Sequence, residues 1–251
     1  MAKPNLRVVA AADLTRSRVA RYLQLATLFR NWIASGRWPV GSRIPNIDEL
    51  VVEFAVARGT VREALGVLEE EGLLERFRAK GTFVRSSPAQ SPALQLATDW
   101  ASLITMHEGA DIKVLESRVL AELPAAHRDL GTPAAKYQMM RRVHARQGRP
   151  YLLARFYLDY ELFKQGPPLQ FRRLPTLPIL HRITGGRFGR ARQRLTIGAA
   201  DIEVASALQL PLNAPVAYVH RFACDLDGTI IYVGEGIYRG DAIRLDIDLR
   251  S

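Results

Sequence analysis

The stretch Ile33–Val84, which reads IASGRWPVGSRIPNIDELVVEFAVARGTVREALGVLEEEGLLERFRAKGTFV, is the most informative part of this 251-residue chain. Segments with apolar residues at helical spacing are separated by turns rich in glycine and proline, and two short alternating segments follow. This order predicts a helix, a turn, a recognition helix and a basic hairpin. A winged helix-turn-helix uses that arrangement to dock on DNA.

Two helices are predicted ahead of the recognition helix. The first begins after Ser17, a good N-cap residue, carries Val19 on its apolar face and ends at Gly36. The second begins at Asn46, which can cap it while Glu49 reaches back as in a capping box.

The recognition helix is predicted over Ala57–Glu71, ending at Gly72. Its apolar stripe is Val61, Ala64, Leu65 and Leu68, and the opposite face carries Gly59, Arg62, Glu63 and Gly66. A helical glycine costs about 0.8–1.0 kcal/mol relative to alanine. A face without side chains would let the backbone approach a DNA groove, although packing against another helix is the alternative. Arg58 and Arg62 lie one turn apart, and arginine suits bidentate contacts with guanine or phosphate.

The predicted hairpin has a basic tip, Arg78-Ala79-Lys80-Gly81. Lys80 is expected to meet the DNA backbone or minor groove, and Gly81 permits the turn. The net charge of +10 and pI near 10.2 also favour a polyanionic partner. However, residues 1–85 and 86–251 each carry +5, so bulk charge does not identify the DNA-binding half, and the second half also suits an anion.

Composition excludes several classes of protein. The single cysteine, Cys224, excludes an internal disulfide framework and a cysteine-cluster zinc site, and is predicted to be a buried thiol. No run of about 18 apolar residues and no apolar leader is present, so the chain is predicted to be cytoplasmic with no membrane partner.

The rest of the chain predicts an antiparallel α+β domain. Residues 86–92 have the composition of a linker, and residues 96–104 have the spacing of a short connector helix that ends near Gly109. Beyond it, one helix is predicted, over Ala200–Gln209. The predicted strands are Val114–Leu120, Tyr137–Ala145, Tyr151–Tyr157, Arg192–Ile197, Val216–Cys224, Ile230–Tyr238 and Ala242–Leu249. The hairpins that begin at Arg142 and Arg221 echo each other weakly, which a pseudo-symmetric sheet or chance would explain.

Residues 17–85 resemble the winged-helix domain of GntR-type bacterial regulators. The matching segments are IASGRWPVGSRIP, VARGTVREALGVLEEEGLL and KGTFV. The resemblance implies DNA contacts for Arg58, Thr60, Arg62 and the hairpin at Lys80-Gly81. The full set of predicted DNA-binding residues is Asn46, Asp48, Arg58, Gly59, Thr60, Arg62, Lys80 and Gly81.

This chain departs from the family pattern at several positions. Asn46-Ile47-Asp48 stands where Ser-Glu-Arg is usual, and Ala57 and Gly59 flank Arg58 where Ser or Thr is usual. DNA binding survives these changes, but the common operator sequence does not transfer. As an acceptor-only group, Asp48 could read a cytosine amino group or orient Arg62.

Residues 95–251 resemble the UTRA effector-binding domain of the HutC branch of these regulators, whose fold is similar to chorismate lyase. The supporting stretch is Leu195–Ile247, above all Tyr238-Arg239-Gly240-Asp241. The resemblance implies a small-ligand site between the sheet halves, with the family's two pocket glutamates falling on Ala154 and Tyr232. That loss, and the abundance of arginine, favours a carboxylate or phosphate ligand. The predicted effector-binding residues are Arg142, His144, Arg155, Arg192, Tyr232 and Tyr238.

These patterns together predict a transcription regulator with a DNA-binding domain over 15–85, a linker and connector over 86–109, and an effector-binding and dimerisation domain over 110–251. It is expected to bind a near-palindromic operator as a homodimer, without cofactor or metal, and repression relieved by ligand is the favoured sign. The alternatives are an architectural DNA-binding protein without an effector and a chorismate-lyase-like enzyme. The five histidines lack metal-ligand spacing, and no nucleophile or phosphate-loop motif supports catalysis.

Overall fold

The computed structural model describes residues 18–87, 94–97 and 99–247. The chain divides into two compact units, Met1–Ser91 and Pro92–Ser251. None of the helices in the described ranges has the length and apolar character of a membrane span.

The first unit contains three helices: α1 (Arg21–Ala34), α2 (Ile47–Phe54) and α3 (Arg58–Glu70). The predicted capping box is confirmed. The side-chain oxygen of Asn46 accepts from the backbone N–H of Glu49 at 2.9 Å, and the Glu49 carboxylate accepts from the backbone N–H of Asn46 at 2.7 Å. The predicted start of α1 is wrong: Ala20 is its N-cap, Val19 precedes it and is exposed, and Ser17 lies outside the described residues.

An aromatic cluster forms the centre of the first unit. The Phe29 ring of α1 lies 4.9–5.7 Å, centroid to centroid, from the rings of Trp32, Trp38 and Phe54. The predicted stripe of α3, Val61 to Leu68, is fully buried against it. Amphipathic burial of this kind fixes the rotation of α3, so that its opposite face is exposed.

A two-stranded hairpin completes the first unit, as predicted. Strand β1 (Leu74–Phe77) pairs antiparallel with β2 (Gly81–Val84). Gly81 has a φ of +107°, and a Cβ there would lie 2.7 Å from the Arg43 side chain. The positive φ makes glycine the favoured residue for this turn, and the end of the Arg43 side chain packs against it.

The second unit is built on a seven-stranded sheet with the order β4-β6-β7-β10-β9-β8, and β5 pairs parallel with β10. Every other pairing in this sheet is antiparallel, as predicted. Its strands are β4 (Asp111–Leu120), β5 (Thr132–Pro133), β6 (Tyr137–Arg146), β7 (Arg149–Asp159), β8 (Ala191–Ala199), β9 (Pro215–Cys224) and β10 (Thr229–Arg239).

The sheet consists of two related halves. Strands β4, β6 and β7 form one antiparallel half, and β8, β9 and β10 form the other in mirrored order. The halves join where β7 pairs with β10, with Ala154 opposite Gly236 and Phe156 opposite Gly234. This order is that of the pseudo-symmetric sheet which the weak repeat suggested.

The helices of the second unit differ from the prediction. Three α-helices were missed, α5 (Tyr160–Gln165), α6 (Pro168–Arg173) and α7 (Thr176–Thr184), and so was a 3-10 helix over Ala125–Leu130. The predicted connector helix is shorter, α4 (Trp100–Thr105), because residues 94–95 form strand β3, which pairs with β11 (Ile243–Arg244). The predicted last strand is reduced to β11, and its final residues, 248–249, lie outside the described part. Helix α8 (Ile202–Leu208) matches the prediction.

Helices cover both faces of the sheet. Phe171 of α6 and Leu180 of α7 are fully buried against Phe156 and Tyr232 on one face. Leu208 of α8 is buried against Leu153 on the other. Neighbouring strand residues point to opposite faces. Odd- and even-numbered residues of β7 and β10 therefore point to opposite faces of the sheet, and each set packs against different helices.

Candidate functional site

The first unit has an open groove between the start of α2, the start of α3 and the hairpin. Arginines line it from both sides: Arg43, Arg58, Arg76 and Arg78. Asp48 lines it as well, and its carboxylate accepts a hydrogen bond from the Arg58 guanidinium. The expectation that Asp48 could orient Arg62 is thus corrected, because its partner is Arg58.

The exposed side of α3 presents backbone as well as side chains. A Cβ added at Gly59 or Gly66 would meet no atom within 4 Å, so both glycines border open space. Arg62 is exposed and Thr60 is half-buried on the same helix. Ala57, the N-cap, offers no side-chain cap, which leaves the first amides of α3 for another acceptor. Such amides, at the positive end of a helix dipole, suit a phosphate oxygen.

Two other predicted DNA-binding residues, Asn46 and Gly81, stabilise the local structure of the first unit. The carbonyl oxygen of the Asn46 side chain is used in the capping box, and Gly81 accommodates Arg43. Lys80 is exposed at the hairpin tip.

The second unit has a small cavity between the sheet, the end of α4 and the corner formed by α6 and α7 (168–184). It has a volume of about 40 Å³, the space of about three water molecules. Five of the six predicted effector residues line it: Arg142, His144, Arg155, Tyr232 and Tyr238. Ala154 also lines it, so both positions at which the resemblance places glutamates face this cavity.

Arg142 binds the corner rather than open space. Its Nη1 donates to the carbonyl oxygens of Phe171 (2.6 Å) and Leu174 (3.0 Å), and its Nη2 donates to Thr176 Oγ1 (2.9 Å). The guanidinium also lies over the Phe156 ring at 4.6 Å. Burial lowers the pKa of Arg142 to about 10, so it remains charged at neutral pH.

Two buried polar groups at the cavity lack partners among the described residues. They are Arg142 Nε and both ring nitrogens of His144. Burial, with the charge of Arg142 next, holds the pKa of His144 well below its ordinary value. His144 is therefore a neutral ring with one free donor and one free acceptor. Unpaired buried polar atoms are costly, and a ligand or water in the cavity would satisfy them.

A chain of hydrogen bonds lines the opposite side of the cavity. Arg221 Nη1 donates to the Tyr238 hydroxyl at 3.2 Å, which leaves the tyrosine proton for His107 Nε2 at 3.2 Å. His107 Nδ1 contacts the Tyr151 hydroxyl at 3.0 Å. Burial first, and then the charges of Arg221 and its neighbours, lower the pKa of His107 to about 3.

Arg221 and His107 were missed as site residues. Arg221 begins the second of the two hairpins that echo each other, so the repeat with Arg142 was the available signal. His107 follows α4 and carries no motif.

Two predicted effector residues do not face the cavity. Arg192 is exposed on β8, and it is its neighbour Gln193 that pairs with Arg221 across the strands. Arg155 borders the cavity through β7, but its side chain lies on the other face of the sheet, 3.6 Å from the Glu235 carboxylate. Glu235 in turn lies 3.0 Å from His127 Nε2, and that hydrogen bond holds the pKa of Glu235 below its usual value.

Each of the two units matches a known protein family. Residues 21–84 match the family described as "Bacterial regulatory proteins, gntR family". Residues 106–244, more than half of the chain, match the UTRA domain.

Similar proteins extend over almost the whole chain. The HTH-type transcriptional repressor NagR of Bacillus subtilis is 28% identical over 232 residues, covering 90% of this chain and 93% of NagR. A probable fructoselysine utilization operon transcriptional repressor of Escherichia coli is 24% identical over 86% of this chain and 89% of its own length. Among solved structures, PhnF from Mycobacterium smegmatis has a TM-score of 0.53 at 20% identity, with 92% of this chain and 99% of PhnF covered, which supports the fold.

Proposed function

Because this chain belongs to the gntR family of bacterial regulatory proteins and carries a UTRA domain, we propose that it is a homodimeric repressor of a near-palindromic DNA site, released by a small carboxylate or phosphate ligand. The chain is a DNA-binding transcription regulator and not an enzyme. The observation that carries the ligand proposal is the cavity with two arginines, a neutral buried histidine and unpaired polar atoms.

The exposed face of α3 supports docking in the major groove. Arg58 and Arg62 provide guanidinium groups for base edges or phosphates. Gly59 and Gly66 remove the side chains that would hold the helix backbone away from DNA. The uncapped amides at the start of α3 suit one phosphate, and Lys80 at the hairpin tip suits another.

A two-fold symmetric dimer would place two copies of α3 in successive major grooves. Such half-sites are separated by about 34 Å, one turn of DNA, or a multiple of it. The second unit would carry the contact between subunits. Relatives named as repressors support the repressor sign, and a ligand that prefers one dimer arrangement would change the spacing of the DNA-binding units.

Arg221 is the stronger candidate for anchoring the anion. Arg142 already gives three hydrogen bonds to the corner, whereas Arg221 meets neutral groups, Gln193 and the Tyr238 hydroxyl. Guanidinium pairs bidentately with carboxylate or phosphate. With Ala154 and Tyr232 at the positions of the family glutamates, the cavity favours an anion over a ligand that carboxylates would hold.

The cavity must enlarge to admit such a ligand. Sites for small molecules have volumes of about 300–1,000 Å³, far above the cavity volume in this structure. The corner is held by the apolar packing of Phe171 and Leu180 and also by the hydrogen bonds from Arg142. An anion that draws Arg142 away from the Phe171 and Leu174 carbonyls would remove the polar part of this attachment and favour opening of the corner, which couples binding to a change in conformation.

The DNA-binding part is tested by fluorescence anisotropy on the DNA upstream of the chain's own gene and on shuffled DNA, across salt concentrations. Arg62→Ala is expected to lose the preference for the upstream DNA while the fold persists. Arg21→Ala, which removes the same charge from α1, is the control and should keep that preference. Retained preference in Arg62→Ala would contradict the docking of α3.

The ligand part is tested by adding inorganic phosphate and citrate to the protein–DNA complex. Arg221→Gln is expected to lose any release of DNA seen with the unmodified protein, and Arg192→Gln, an exposed arginine on the adjacent strand, should keep it. The reverse result would return Arg192 to the site. Arg142→Ala should abolish the response too, but it also frees the corner, so Arg221 gives the cleaner test.

A further inference from the structure

The ion pair between Asp48 and Arg58 joins the starts of two helices at the DNA-facing groove. Asp48 is the second residue of α2, and Arg58 is the first residue of α3. Their side chains are 69% and 62% exposed, and the Asp48 carboxylate accepts directly from Arg58 Nη1. Both residues line the groove between the helices and the hairpin.

Stability does not account for this pair. Exposed ion pairs contribute little to folding because water screens them. The helix dipole favours an acid in the first turn of α2, but Glu49 already occupies that turn and completes the capping box. Neither effect requires a carboxylate that reaches across to α3.

The ion pair between Asp48 and Arg58 suits recognition of a DNA base by Arg58. A carboxylate accepts hydrogen bonds only and repels phosphate, so it opposes the use of Arg58 as a general phosphate clamp. The contact with Asp48 engages Nη1 and restricts the guanidinium, which leaves its Nε–Nη2 edge to donate two parallel hydrogen bonds. Guanine O6 and N7 form a matching pair of acceptors in the major groove.

We propose that Asp48 determines operator specificity by holding Arg58 in the orientation that reads the guanine of a G·C base pair. This inference rests on the proposed DNA-binding function. Asp48 is a positioning residue, and Arg58 makes the base contact. Asp48 also lowers affinity for DNA in general, because it places a negative charge beside the phosphates.

The test is selection from a library of DNA duplexes with a randomised core, using the full-length chain. The unmodified protein is expected to enrich sites with one required G·C pair in each half-site. Asp48→Asn should lower the preference at that pair by about 5- to 150-fold, the range of a bidentate arginine–guanine contact. It should also raise affinity for DNA outside the enriched site.

A matched control separates charge from orientation. Glu70→Gln makes the same charge change at an exposed position near the end of α3. It should keep the G·C preference. Melting midpoints of both variants, measured by circular dichroism, check that the fold is retained.

A double-mutant cycle gives a second readout. If Asp48 acts through Arg58, then Arg58→Ala removes the G·C preference, and adding Asp48→Asn to that variant changes the preference no further. Independent, additive losses would overturn the proposal, as would an unchanged preference in Asp48→Asn, and either would leave the proposed function intact. If the unmodified protein enriches no sequence, this inference and the DNA-reading function fail together.

Discussion

Mild acid should destabilise the second unit, because His107 and His144 are buried as neutral rings. Both side chains lie at the cavity, and the folded-state pKa is about 3 for His107 and well below 6.5 for His144. In the unfolded chain each histidine has an ordinary pKa near 6.5. Between these values the unfolded state binds more protons than the folded state, so the free energy of unfolding falls as the pH falls below about 6.5.

The size of the effect follows from proton linkage. At about pH 5.5 an unfolded histidine is about 90% protonated, while the His107 ring stays neutral in the folded state, which costs about 1.4 kcal/mol for that residue. The low pKa of His144 adds a loss of the same sign, so the second unit should lose at least about 1.4 kcal/mol between about pH 7.5 and pH 5.5. For His107 the loss continues until the pH approaches its folded pKa of about 3.

The assay needs a probe of the second unit alone. Three of the four methionines, Met106, Met139 and Met140, lie in that unit, so their methyl NMR signals report its unfolding by urea. His107→Gln can keep hydrogen bonds to the tyrosines, and it should reduce the pH dependence by about 1.4 kcal/mol.

The control for this prediction is His181→Gln, which changes a histidine that is only half-buried on α7 and should leave the pH dependence unchanged. A pH dependence in His107→Gln equal to that of the unmodified chain would refute the reasoning, and so would an unmodified chain whose second unit has the same stability at both pH values.

Three further predictions concern packing and backbone geometry. Phe29→Ala should destabilise the first unit by about 3–5 kcal/mol, because the ring lies at the centre of the aromatic cluster. Urea unfolding followed by tryptophan fluorescence measures this loss, and a loss under about 1 kcal/mol would contradict the role of the cluster. Ala55→Gly should stabilise the first unit by about 0.5–1 kcal/mol, since Ala55 ends α2 with a φ of +49°; a lower melting temperature would argue against strain there. Gly189→Ala should destabilise the second unit by about 1–3 kcal/mol, because the new Cβ would lie 2.1 Å from the backbone carbonyl oxygen of Asp225. The methionine methyl signals, followed in urea, report this destabilisation, and an unchanged unfolding midpoint would contradict the close approach.

Local signals predicted the DNA-binding unit well. The capping box at Asn46 and the apolar stripe of α3 are encoded within a few residues, so sequence spacing alone identifies them. Strand alternation likewise predicted the strands of the large sheet apart from short β5. The three missed helices, α5 to α7, have 6–9 residues each, and two of them, α6 and α7, follow prolines, Pro167 and Pro175. Packing under the sheet, not local propensity, holds such short segments in helical form.

The ligand cavity was predicted in part, for a reason visible in the strand period. Ala154 and Phe156 face the cavity, so Arg155 between them faces away. The same argument applies on β8, where Gln193 faces Arg221 and Arg192 does not. The count of arginines in a segment was the weaker guide, and strand parity from a known cavity residue was the stronger one.

The closed corner over the cavity has a consequence for how sensitive the regulator is. Apparent affinity for a ligand is the intrinsic affinity multiplied by the fraction of molecules that are open, and each tenfold fall in that fraction corresponds to about 1.4 kcal/mol. The hydrogen bonds from Arg142 to Phe171, Leu174 and Thr176 help to set this fraction. If the corner opens on binding, as proposed above, the ligand concentration at which the regulator responds depends on how strongly these hydrogen bonds hold the closed state. Because Arg142 and Thr176 hold the corner and also line the cavity, a change at either residue would alter the response threshold together with the site.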